Sequence, residues 1–159
     1  MRKRELGSLK DQAKRLTAIQ FRPLKRGRLP RPLDKIGAKR YLDAGPEQVA
    51  ENLVVIFLVR DGETLGRRAF YAHLFQADPP GGLLPLAILH YHPSHKGIHI
   101  VFNCQTDRDY LDRLLPGAPE LALNTPQGLN PANDTDRLRL VDIFCRRCGI
   151  TLGEGELLS

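Results

Sequence analysis

The chain contains no tryptophan, one methionine and three cysteines in 159 residues. Three cysteines do not make a disulfide framework, and a reducing cytoplasm fits that usage better. No run of about 18 apolar residues occurs, so no membrane span is expected. The amino terminus is basic, but no apolar signal core follows it, and export is not expected. No internal repeat is visible. Aromatic residues are sparse near the amino terminus: Phe21 and then Tyr41 are the first two. That stretch is therefore poorly equipped to stack single-stranded bases. The length suits one domain with an attached arm.

What is abundant is positive charge, and it is unevenly placed. The net charge is +6, yet residues 1–40 hold fourteen Lys/Arg against Glu5, Asp11 and Asp34, while the remainder is net acidic. The chain therefore divides into a basic helix and Pro-rich arm (1–40) and a single α+β domain (41–159). Concentrated positive charge is the usual footprint of a polyanion partner, because neutralising phosphates releases condensed counterions. Arg22, Lys25, Arg26, Arg28, Arg31, Lys39 and Arg40 are the arm's candidate phosphate contacts, with Lys96 and Arg108 from the body. Nucleic acid, RNA favoured, is the expected partner; an acidic protein (an antitoxin or target complex) is the alternative.

Leu6, Leu9, Ala13, Leu16 and Ile19 recur at steps of three and four, which predicts an amphipathic helix over residues 3–20. Arg22-Pro23 through Arg31-Pro32 then reads as an extended strap, since proline removes donors and disfavours helix before it. Residues 41–52 are expected to hold one short helical turn. Leu53 through Val59 is a continuous β-branched and aromatic run, the mark of a strand covered on both faces. Arg67 through Gln76 reads as its return. Thr106 through Leu115 is expected to be a short helix, and residues 116–133 a long irregular connection. Asn133-Asp134-Thr135 opens a last helix that ends near Gly149. The expected fold is α+β: a four-stranded antiparallel meander with an N-terminal amphipathic helix and a C-terminal helix packed on it.

Four of the five histidines fall in His90-Tyr91-His92-Pro93-Ser94-His95-Lys96-Gly97-Ile98-His99. Apolar segments flank the run, so it reads as a β-hairpin supplying strands three and four. Alternation puts Ala87, Leu89, Tyr91, Ile98, Ile100 and Phe102 on one face, and Ile88, His90, His92, His99 and Val101 on the other. His95 and Lys96 fall in the turn. Imidazole both gives and takes a proton near neutral pH, so several on one face supply the paired groups that acid–base chemistry needs. A polar sheet face also accommodates histidine without any chemistry. Asp107, Asp109 and Asp112 come soon after, where acids also suit the first turn of a helix. His73, one strand earlier, could join the cluster. Cys145-Arg146-Arg147-Cys148 is a lone CxxC, short of the four ligands of a structural zinc, and both thiols fall on the apolar stripe of the last helix.

These features admit three function classes. The first is a small metal-independent endoribonuclease, toxin-like, with His92 and His99 as the proton-transfer pair and His90 and His95 as alternates; it requires no metal or cofactor. The second is a metal-dependent endonuclease. His90-Tyr91-His92 resembles the histidine–hydrophobe–histidine strand motif of rolling-circle and relaxase-type nucleases, and the resemblance implies Tyr110 as nucleophile. The third is a non-catalytic nucleic-acid-binding, inhibitor or accessory protein of a mobile element. A sheet between terminal helices is also similar to the shape of compact bacterial ribonuclease toxins.

Overall fold

The computed structural model of this chain describes residues 12–25, 29–30, 33, 40–78, 82–93, 98–102, 121–123 and 128–153, with 78, 82 and 121–123 described by backbone alone. Its strands are β1 (Lys14–Leu16), β2 (Arg22–Pro23), β3 (Tyr41–Ala50), β4 (Leu53–Arg60), β5 (Ala69–Asp78), β6 (Gly82–Tyr91), β7 (Ile98–Phe102), β8 (Leu121–Leu123) and β9 (Ile150–Leu152). A helix, α1 (Asp134–Arg147), precedes β9, and a single 3-10 turn spans Leu65–Arg67. Strands β2 to β8 form one antiparallel sheet in chain order, and β1 pairs with β9 in a separate parallel pair.

This corrects the expected fold. The protein is mostly β, and β4 to β7, the four anticipated strands, are the middle of a sheet of seven. Residues 14–16 are strand, not helix: Lys14 and Leu16 are buried and Arg15 is exposed, the alternation of period two that a strand imposes. The parallel register Lys14↔Ile150 through Leu16↔Leu152 supplies the backbone partners. Residues 1–11 lie outside the described set. Residues 41–50 are also strand, not a helical turn. Here Glu47 through Ala50 would favour helix locally, but pairing with the largely buried β4 wins. Gly45-Pro46 is accommodated as a register shift between Ala44 and Glu47. Gly45 sits at φ +108°, and a Cβ there would collide with the Val55 carbonyl oxygen. Asn52 closes the tight β3–β4 connection at φ 62°, a conformation asparagine tolerates well. Within the stretch expected to be irregular, Leu121–Leu123 pairs with β7. The helix expected over 106–115 lies outside the described residues.

The sheet separates two cores. On one face Phe57, Phe70, Leu89 and Tyr91 pack with Leu140, Val141, Phe144 and Cys145 of α1, and with Leu16 and Ile150 of the small sheet. Phe57 and Phe144 meet edge to face at 5.8 Å. The helix starts at Asn133, whose side chain accepts the Asp136 amide at 3.0 Å. Asp134 and Asp136 stand in its first turn and Arg146 and Arg147 in its last, each sign matching the helix dipole. On the other face Leu24, Leu29 and Leu33 pack on Ile56, Leu58, Ala69, Tyr71 and Phe75. Leucines of the basic segment thus anchor it directly on the sheet.

Candidate functional site

The second face carries the histidines. His90 in β6 and His92 just past its end are two residues apart and share a side, while Tyr91 between them turns to the helix-covered face. Its hydroxyl donates to the Leu129 carbonyl at 2.9 Å. Strand β7 brings His99 directly opposite His90 in the antiparallel register. The His90 and His99 rings lie 5.4 Å apart between centroids, and the His90 and His92 rings 6.0 Å apart at 79°. All three are half-buried. His90 is the middle ring, with His92 and His99 flanking it.

A fourth group completes the arrangement. Tyr71 of β5 pairs with His90 in register, and its ring meets His92 edge to face at 5.5 Å. The Tyr71 hydroxyl lies 3.5 Å from His92 Nε2, at the long end of hydrogen-bond distance. Tyr71 was not among the sequence-derived candidates, although its place on the same face of the preceding strand was a usable signal. Tyr71 also belongs to the cluster that holds Leu24, Leu29 and Leu33, so it links that cluster to the imidazole face. His73, two residues along β5, pairs with Ile88 and stacks on Phe75 at 5.6 Å; it is 2% exposed.

Among the charged candidates, Arg22 is exposed and lies 3.8 Å from the buried Asp43 carboxylate. Lys25 is exposed. Arg40 pairs with Glu63 at the surface. His95, Lys96, Arg26, Arg28, Arg31, Lys39, Arg108 and Tyr110 lie outside the described residues, as do Asp107, Asp109 and Asp112. No three His, Cys, Asp or Glu side chains among the described residues are disposed to hold a metal ion.

The CxxC pair is buried in the helix-side core. Burial pushes the Cys145 thiol up to about 12, and Asp142 adds to the effect, so Cys145 stays protonated at neutral pH and packs as a small hydrophobe. No described helix is long and apolar enough to cross a membrane. Comparison of the chain with protein-family models, curated proteins and solved structures finds no match.

Proposed function

We propose that the His90–His92–His99 face is an acid–base site acting on a phosphodiester, and that the protein is a metal-independent endoribonuclease of the cytoplasm. The carrying observation is the juxtaposition of three half-buried imidazoles and a tyrosine hydroxyl on adjoining strands. His92 and His99, the flanking rings, form the proton-transfer pair. One in its neutral form takes the proton of a ribose 2′-hydroxyl as that oxygen attacks the adjacent phosphorus. The other, protonated, gives its proton to the departing 5′-oxygen. The products are a 2′,3′-cyclic phosphate and a free 5′-hydroxyl, so atoms and charge balance without a metal or an added cofactor. His90 holds the two apart, and Tyr71 orients the His92 ring. The basic segment, whose leucines share an apolar cluster with Tyr71, supplies the attraction for the polyanion.

The test is incubation of the purified protein with labelled RNA and with single-stranded DNA, with and without chelator. RNA should be cleaved to cyclic-phosphate ends whether or not chelator is present. Loss of one member of an acid–base pair costs on the order of 10²–10⁴-fold, so His92→Ala and His99→Ala should each fall by that much. Cleavage unchanged in both variants overturns the reading. Salt-dependent RNA binding with no turnover points instead to the non-catalytic class. Chelator-sensitive DNA cutting, with an adduct lost in Tyr110→Phe, points to the metal-dependent class.

A further inference from the structure

On the opposite, helix-covered face a cleft of about 570 Å³ opens where the end of α1 approaches the sheet. Its walls include Leu74 of β5, Phe102 of β7, Gln12, and Arg146, Arg147 and Cys148 at the helix end. The volume falls within the roughly 300–1,000 Å³ usual for small-ligand sites. None of these residues belongs to the histidine site, so the chemistry of the cleft is independent of the ribonuclease reading.

The walls are mixed in a specific way. Phe102 is half-buried, and the Arg147 guanidinium stands over its ring at 5.6 Å from the centroid. Arg146 lies on the same rim, paired with Asp142 at 2.9 Å. A helix carboxyl end carries partial negative charge and would ordinarily repel an anion. Here the buried Lys14 ammonium donates to the Cys148 carbonyl at 3.1 Å and to the Gln12 carbonyl at 2.9 Å. With that pole answered and Arg146 balanced by Asp142, Arg147 leaves the rim cationic. A guanidinium recognises phosphate through paired N–H donors, and the same group stacks on rings. Phosphate seated on Arg147 places whatever is attached to it beside Phe102.

We infer that this cleft binds a mononucleotide, with the phosphate on Arg147 and the base packed against the partly exposed Phe102. A phosphate with no ring leaves the Phe102 ring uncovered, and a nucleoside with no phosphate leaves Arg147 unused. Both halves are therefore needed for full affinity.

Calorimetric titration of the full chain with adenosine 5′-monophosphate, adenosine and inorganic phosphate tests this. Saturable binding of the nucleotide is expected, at least tenfold tighter than either fragment. Arg147→Ala removes an exposed helix-end side chain, and Phe102→Leu keeps apolar volume while removing the ring; each should weaken nucleotide binding by tenfold or more. Thermal melting of both variants checks that they remain folded. If inorganic phosphate binds as tightly as the nucleotide, or if affinity is unchanged in Arg147→Ala, the inference fails. Absence of nucleotide binding at millimolar concentration also overturns it.

Discussion

One face of the large sheet is sealed by α1 and the small parallel sheet except at the cleft beside the helix end, and the side chains packed there are almost wholly apolar. The other face is covered in part by three leucines from a basic segment, and beyond them it carries His73, His90, His92 and His99. The same strands build both faces, because alternation along β5, β6 and β7 sends one set of residues each way. The contrast teaches where stability is housed and where titratable groups can meet water. The sealed face holds the fold together, which frees the other to keep His90, His92 and His99 half in contact with water. The largest effect should therefore fall on the sealed side. Phe144→Ala removes a fully buried ring that touches Phe57, and should cost about 3–5 kcal/mol in urea denaturation. Leu29→Ala, on the partly covered face, should cost nearer about 2 kcal/mol, since a single docked segment can settle into the space. A reversed order would mean that the leucine-anchored segment, not the helix, clamps the sheet.

Parts of this contrast were legible in the sequence for a physical reason. The hairpin around residues 90–99 alternates cleanly, so its apolar residues dictate a register and the histidines go to the other side. The start of α1 was legible too, since Asn133 with acids behind it is a local signal that needs no distant partner. Strand β1 was not. Its apolar spacing fits a helix, and it becomes a strand because Ile150 to Leu152, more than 130 residues away, offers backbone partners. Strand β3 was hidden in the same way by the helix-favouring Glu47 and Gln48 and by the Gly45-Pro46 break. The partnership of Tyr71 with His92 depends on the β5–β6 register, and the cleft on three elements distant in sequence. Neither has a local signature.

A smaller effect sharpens the contrast through pH. The Cys145 thiol is held well above its ordinary 9.0 by burial, so the folded protein keeps a proton that the unfolded chain releases. Its contribution is complete below about pH 9 and is lost as pH rises toward about 12, with a slope of at most about 1.4 kcal/mol per pH unit. Burial raises Tyr91 in the same direction, which adds to the alkaline loss. Stability measured at pH 8 and pH 10 should drop in the parent chain and drop less in Cys145→Ala. Equal drops would show that the thiol is not sealed from solvent, and with it that the helix-covered face is looser than its packing indicates.

Below that lies the helix cap. Asn133→Ala leaves the Asp136 amide without its side-chain acceptor and should cost about 1 kcal/mol, read as a lowered urea midpoint at unchanged slope. A loss of several kcal/mol would tie the cap to the neighbouring network, in which Asn130 accepts from Arg68 and its amide donates to Asp136.

The smallest stability effect is the most telling about function. His92 is a half-buried, partly exposed side chain at the end of its strand, so His92→Ala should change stability by only about 0.5 kcal/mol. Cleavage of RNA, in contrast, should fall by orders of magnitude. Measuring both on one preparation separates two roles for the same side chain. A packing residue loses stability in proportion to the contacts removed and drags activity down with the folded fraction. A proton-transfer residue loses activity while the folded fraction stays near one. If His92→Ala were as destabilising as Phe144→Ala, the histidine face would be a second structural core, and the two sides of the sheet would no longer differ in kind.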